Sequence, residues 1–196
     1  MSALLRRRLL HFGGAALALG GLAGCSLHPV YAPDAFGNGP TGGASIQSQL
    51  REVAVPVLGQ RSGQLLQEAL QTRLYGGEQP SLTRYNLSVS FNISQVGLGV
   101  QGDSTTTYVR FVASAPWSLV SQDDPQHKVL ISGYAQSADG LNSFDNQPFG
   151  QELETNTVTQ RTADAIADQI TISLAHYFAV AERKREQQAA LAKQPG

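Results

Sequence analysis

The clearest pattern along the chain is a strict alternation of apolar and polar residues at positions 85–94. The apolar positions are odd-numbered and comprise Tyr85, Leu87, Val89, Phe91 and Ile93, with polar residues between them. Successive side chains of a strand point to opposite faces, so this run predicts a strand with one face in the core and one face open. Residues 105–120 repeat the alternation and predict a second long strand.

Two shorter runs complete the predicted sheet. Residues 128–135 are rich in β-forming side chains, and Val53, Val55 and Val57 alternate with other residues. Pro56 lies in the second of these runs. Because proline has no N–H to donate, it places that strand at an edge of the sheet or leaves the end of the strand unpaired.

Two stretches carry the spacing of an amphipathic helix. Leu66, Leu70 and Leu74 recur every four residues before Gly76-Gly77, which would end the first helix. The second is predicted to begin at Thr157-Val158-Thr159-Gln160, which has the form of a capping box. Its predicted apolar stripe comprises Thr162, Ala163, Ile166, Ile170, Leu174, Tyr177 and Phe178.

The predicted order of elements is β-α-β-β-β-α, with a glycine-rich hairpin loop at residues 97–104 and a long loop at 139–151. Two helices must bury their stripes and an alternating sheet offers one apolar face. The predicted fold class is therefore α+β: a two-layer sandwich with two helices packed on one face of a mixed or antiparallel four-stranded sheet. The opposite face is expected to be polar and open, and it would carry Asn86, Ser88, Ser90 and Asn92.

The N-terminus has the organisation of a bacterial lipoprotein signal. Arg6, Arg7 and Arg8 form a basic cluster, residues 15–22 form a short apolar run, and Leu22-Ala23-Gly24-Cys25 has the form of a lipobox. The thiol of Cys25 would receive diacylglycerol, and residues 1–24 would be removed. Export through the general secretory route or the twin-arginine route stays open, because the arginine cluster suits both.

Composition divides the remainder into three parts. Residues 25–48 are rich in proline and glycine and are predicted to be a lipidated tether. Residues 49–181 contain the predicted core and form the α+β domain. Residues 182–196 are charged and glutamine-rich, and are predicted to be a polar tail, either a helical extension or a loose end. Ser26 favours the periplasmic side of the outer membrane, because an aspartate there usually favours inner-membrane retention.

Charge and motifs exclude several classes of function. The formal net charge of −1 gives no sign of a general nucleic-acid binder. Gly97-Leu98-Gly99-Val100-Gln101-Gly102 matches a dinucleotide fingerprint in its letters, but no helical pattern follows its third glycine. The histidines have no partners at ligand spacing, so no metal site and no cofactor are expected. The sequence contains no catalytic constellation, and we expect that the protein is not an enzyme.

Several short motifs resemble those of the LPS-assembly lipoprotein family (LptE) in its alphaproteobacterial form. They are Cys25-Ser26-Leu27-His28-Pro29-Val30-Tyr31, Arg84-Tyr85-x-Leu87-x-Val89, Ala115-x-Trp117-x-Leu119, Val129-Leu130-x-Ser132-Gly133, and Ala163-Asp164-x-Ile166-Ala167 through Leu174-Ala175-x-Tyr177-Phe178. Together they span nearly the whole chain. Ser26 and Leu27 replace the Gly-Phe that the family usually has after the cysteine.

The resemblance implies a partner and a role. Such lipoproteins plug the outer-membrane LPS-translocating barrel (LptD), help it to assemble, and support lipopolysaccharide delivery to the cell surface. An open polar sheet face suits the polar lumen of a large barrel, although such a face commonly meets only water. Arg110 and Lys128, on adjacent β segments, are the candidate contacts for lipid A phosphates. The alternative is an auxiliary lipoprotein of an envelope ABC transport system.

Overall fold

The computed structural model describes residues 42–76, 80–100, 106–142 and 148–193. The lipobox, including Cys25, lies outside these described residues. In chain order the elements are helix α1 (Gly42–Arg51), strand β1 (Val53–Ala54), helix α2 (Gln60–Tyr75), strands β2 (Tyr85–Val89), β3 (Asn92–Val100), β4 (Thr106–Ser121) and β5 (Val129–Asn142), and helix α3 (Pro148–Ala192).

The sheet is built around β4, its longest strand. β5 runs antiparallel along one side of β4, while β2 and β3 share the other side, also antiparallel, and β1 adds to β2 in parallel. The helices and the apolar face of this mixed sheet enclose a common core. The predicted α+β class and the packing of helices on one sheet face are confirmed, with five strands instead of four.

The additional strand arises because the strand predicted over residues 85–94 is interrupted at Ser90. β2 and β3 keep one continuous register against β4, with Val89 opposite Trp117 and Asn92 opposite Ser114. Between them the Ser90 N–H donates to the Pro116 carbonyl oxygen at 3.1 Å. Proline has no N–H to return this bond, so the ladder is interrupted although the alternation of faces continues.

β1 lies at the edge of the sheet, as Pro56 predicted, and is only two residues long. The Tyr75 hydroxyl on α2 donates to the Val53 carbonyl oxygen at 2.5 Å and accepts a hydrogen bond from the Val55 N–H at 3.0 Å. A side chain thus occupies the position that another strand would take beside β1. Burial raises the pKa of Tyr75 because the phenolate would lose its hydration, and the bond from Val55 opposes this shift.

The first helix corrects the predicted extent of the tether. Residues 42–48 were predicted to be irregular, but they belong to α1, and the side chains of Ile46 and Leu50 are buried in the core. These two residues are four positions apart and therefore lie on one face of the helix. Burial of that face outweighs the weak helical preference of the local sequence, so core residues begin before the predicted boundary at Gln49.

The second helix agrees with its predicted stripe, since Leu66, Leu70 and Leu74 are all buried. It begins at Gln60, after Gly59. It ends at Gly76, which has a positive φ of 68° and donates its N–H to the Thr72 carbonyl oxygen. This left-handed conformation favours glycine, as the sequence predicted for the helix end.

The last helix begins earlier and ends later than its pattern predicted. It starts at Pro148, a residue suited to the first helical position, and the Thr157 hydroxyl donates to the Leu153 carbonyl oxygen inside the helix. The predicted capping box at Thr157 is therefore wrong. The loop predicted over residues 139–151 is also wrong at both ends, because β5 extends to Asn142. The polar tail is a helical extension as far as Ala192.

Candidate functional site: the open face of the sheet

The helices leave one face of the sheet uncovered in the described parts of the chain, and we call this the open face. All four polar candidates lie on it and are exposed: Asn86, Ser88, Ser90 and Asn92. The apolar residues between them, such as Leu87 and Val89, are buried on the helix side. The predicted division of this stretch between the two faces is thus confirmed, because the register continues through the interruption at Ser90.

The two candidate cations do not share a site. Arg110 lies on the open face in β4, opposite Val96 of β3 and Gly140 of β5. Lys128 comes just before β5, whose first residue, Val129, pairs with Val120 near the other end of β4. Ten residues of strand between Arg110 and Val120 correspond to about 33 Å. Arg110 and Lys128 therefore lie too far apart to contact the same phosphate group.

The open face is less polar than predicted. Val96, Leu98 and Tyr108 lie on it, and their exposed fractions are 46%, 41% and 37%. Leu98 is directly opposite Tyr108, and Val96 is directly opposite Arg110, so the four side chains form one patch, which we call the apolar patch. Leu98 was not expected on this face, because the sequence pattern places it in a hairpin loop. Continuing the even-numbered parity beyond Ser94 would have predicted it.

The position of Tyr108 within the patch depends on a glycine in the next strand. A Cβ atom added to Gly140 would approach the Tyr108 hydroxyl within 2.2 Å. Tyr108 therefore lies across the backbone of β5 at this point, where only glycine leaves room for it. The ring therefore packs closely against the sheet at this end of the patch.

Charge is sparse on the open face. Arg110 is the one charged residue among those that β2, β3, β4 and β5 direct to this side in the described parts of the chain. Solvated protein surfaces usually have charged residues at about 25–35% of positions. Further along, Tyr134 is exposed and lies opposite Pro116, which extends the apolar character toward the middle of the sheet.

A cluster of paired charges lies away from this face, between two helices. Arg73 on α2 donates from Nε to Asp168 Oδ1 of α3 at 2.5 Å, and Asp164 binds the same guanidinium at 3.2 Å. The hydrogen bond to Asp168 is the largest cause of the raised pKa of Arg73, with burial opposing it. Within the described ranges, no three His, Cys, Asp or Glu side chains could together hold a metal ion. No described helix has the length and apolarity that a membrane crossing requires.

Comparison with known proteins identifies a shared fold. No protein-family model and no curated protein matches the chain. A candidate lipoprotein from Caulobacter crescentus CB15 matches with a TM-score of 0.57 and 23% identity, over 69% of this chain and 97% of that one. Rare lipoprotein B from Shewanella oneidensis matches with a TM-score of 0.51 and 10% identity, over 67% of this chain and 97% of its own. The chain therefore has the fold of these two proteins.

Proposed function

We propose that the protein is an outer-membrane lipoprotein that plugs the LPS-translocating barrel, helps it to assemble, and thereby supports lipopolysaccharide delivery to the cell surface. The observation that carries the proposal is the open face, which has one charged residue and exposes Val96, Leu98 and Tyr108 among the described strands. A face that meets only water gains nothing from exposed apolar side chains, whereas a contiguous apolar patch is typical of an interaction surface.

The character of the face suits the inside of a large barrel. Serine and asparagine side chains at the β2 end can exchange water for the polar groups that line such a lumen. Burying uncharged side chains costs much less than burying charged ones, which must find partners. The apolar patch at the other end gains free energy when a partner covers it, at about 25 cal/mol per Å² of buried apolar surface.

The fold and the N-terminal sequence support a lipoprotein. Two proteins described as lipoproteins share the fold, and Cys25 stands at the end of a lipobox in this chain. Stable membrane anchoring requires more than one acyl chain, which lipidation of an N-terminal cysteine would supply. The folded body would then stay beside the membrane in which the barrel resides.

Arg110 is the proposed contact for lipopolysaccharide phosphate. Its guanidinium can bind a phosphate through two parallel hydrogen bonds, and its neighbours Val96 and Tyr108 can contact apolar parts of the same ligand. Lys128 is too far along the sheet to bind the same phosphate, so it is a candidate contact for a separate phosphate only.

Affinity purification from the envelope of the native host tests the proposal. The full chain, with a C-terminal tag, is extracted in mild detergent, and its partners are identified by mass spectrometry. We expect an outer-membrane LPS-assembly barrel at a stoichiometric level, and its loss after Cys25→Ala, because the unlipidated chain would no longer be held at the membrane. Recovery of an inner-membrane ABC transporter instead would overturn the plug role and favour the auxiliary one.

A further inference from the structure

β5 presents a long free edge. It spans 14 residues and, among the described strands, pairs only with β4. The backbone groups of its even-numbered residues therefore point away from the sheet. Edges of this kind are usually protected by lysine, proline or a central bulge. β5 contains neither lysine nor proline, and its register shift lies at its beginning, opposite Leu119 and Val120.

One side chain substitutes for a neighbouring strand at this edge. The amide of Gln169 on α3 accepts a hydrogen bond from the Gln136 N–H at 3.2 Å and donates to the Gln136 carbonyl oxygen at 2.9 Å. A side-chain amide has the same donor and acceptor as a peptide group. Gln169 thus makes both bonds that one residue of an added strand would make with Gln136.

A second outward group is covered differently. The Gly140 N–H donates to Oδ1 of Asp139 at 2.8 Å, and Oδ2 of the same carboxylate binds Arg161 of α3 at 2.8 Å. Tyr134 and Ala138, on the two sides of Gln136, are exposed, and no described strand pairs with their outward backbone groups. The edge is therefore held closed at two points and left open beside them.

We propose that the edge of β5 from Tyr134 to Asn142 binds one extended strand of a partner protein, and that the Gln169 amide occupies the place of this strand until the partner arrives. Only the backbone of another strand matches a row of alternating N–H and C=O groups. Exchange of the Gln169 amide for a peptide group replaces two hydrogen bonds by two of the same kind, so displacement costs little. An amide that can move aside leaves the edge available for pairing, whereas a lysine or a proline on the edge discourages pairing.

This proposal rests on the proposed function, because it takes the barrel protein as the partner. The edge continues directly from the open face, since Tyr134 and Ala138 belong to both, so one partner can cover the face and pair with the edge. A second copy of this chain is the competing occupant.

Site-specific photo-crosslinking in the native envelope tests the proposal on the full chain. A benzoylphenylalanine replaces Ala138 at the edge or, in a second variant, Ser88 on the open face. We expect the residue at 138 to crosslink to one short stretch of the barrel protein. Crosslinks to the barrel from 88 but not from 138 would overturn strand binding and leave the plug role intact. Crosslinks from 138 to a different protein would overturn the choice of partner and count against the plug role, and crosslinks to a second copy would also overturn the choice of partner.

The role of the cap is tested separately with Gln169→Ala. Gln160→Ala is the matched control, because Gln160 is exposed on the same helix and makes no hydrogen bond to β5 in the described structure. Loss of the competing amide should raise the crosslinking yield at 138 by about threefold to tenfold, while Gln160→Ala leaves it unchanged. Both variants should keep the parent melting temperature within a few degrees, because alanine favours helix. Equal yields in the two variants would overturn the proposal that Gln169 holds the place of a strand.

Discussion

Gly133 of β5 lies directly beneath the indole of Trp117, its partner in the register of β4 and β5. A Cβ atom added at Gly133 would approach Cζ2 of the indole within 2.7 Å. Trp117 is buried and belongs to the main core, where side chains have little room to move. The missing side chain at Gly133 thus leaves the space that the indole occupies.

Gly133→Ala should destabilise the fold although alanine suits a strand better than glycine does. The added methyl group must displace the indole, and overpacking of this kind costs about 1–3 kcal/mol. Chemical denaturation of the purified protein measures the change in the free energy of unfolding. Ser132→Ala, on the exposed side of the same strand, is the control and should change the free energy of unfolding by less than about 0.5 kcal/mol. Similar values for both variants would contradict the close contact.

The stability of the protein should fall as the pH rises above 10. The folded-state pKa of Tyr75 is raised above its ordinary value of 10.0 by burial. Above pH 10 the unfolded chain has therefore released this proton while the folded chain retains it, so the unfolded state gains stability with rising pH. Urea denaturation between pH 8 and pH 11 measures the slope.

Tyr75→Phe should reduce this slope and also lower stability at neutral pH, because the Val53 carbonyl oxygen and the Val55 N–H lose their partner. Burial raises the pKa of Tyr177 as well, so a smaller slope of the same sign should remain in this variant. If Tyr75→Phe leaves the slope unchanged, the fall of stability with rising pH comes from other titratable groups.

The ion pairs of Arg73 should contribute more to stability than those of Arg84. Arg73 joins α2 to α3 through Asp164 and Asp168, and its side chain is largely buried. Arg73→Met removes charge-assisted hydrogen bonds at a helix contact and should cost about 1–3 kcal/mol, with solvent around the half-exposed Asp168 reducing the value. Arg84→Met is the control, since the pair of Arg84 with Asp123 is surrounded by solvent and should contribute little to stability. Equal losses in the two variants would contradict this difference.

The alternation of apolar and polar residues predicted which strand residues face the helices, because a period of two depends only on the local geometry of a strand. It could not predict the interruption at Ser90, whose cause is Pro116 on another strand. The buried side of α1 also required the tertiary structure, since Ile46 is the only strongly apolar residue between Phe36 and Leu50 in the sequence.

The sequence pattern also could not predict which residues on different strands and helices lie close together. The separation of Arg110 from Lys128 depends on the register of β5, which continues seven residues beyond its predicted end at Ala135. The contact between Gln169 and Gln136 joins residues 33 positions apart and has no local signal. Interactions of this kind are set by how elements pack, whereas the stripe of α3 is set by the helix period itself.

The open face gives the most direct functional prediction, and two residues of equal exposure provide its control. Val96 on the open face is 46% exposed and Ile172 on α3 is 45% exposed. Val96→Glu and Ile172→Glu therefore place the same charge at apolar positions of similar exposure on opposite sides of the molecule. Neither side chain belongs to the core, so both variants should retain the parent melting temperature within a few degrees.

Val96→Glu should lower the yield of co-purified barrel at least tenfold, because it replaces an apolar contact by a carboxylate that must lose its hydration at the interface and that would pair with Arg110, the cation opposite it. Ile172→Glu should leave the yield unchanged. Ser90→Trp tests the polar end of the same face, and Arg110→Glu tests its cation. The yield of co-purified barrel should fall in both variants. The measurement pairs a melting curve with the quantity of barrel recovered from the native envelope for each variant. If Val96→Glu recovers as much barrel as Ile172→Glu, the open face meets solvent in the complex, and the interface must lie on the helices or on the edge of β5.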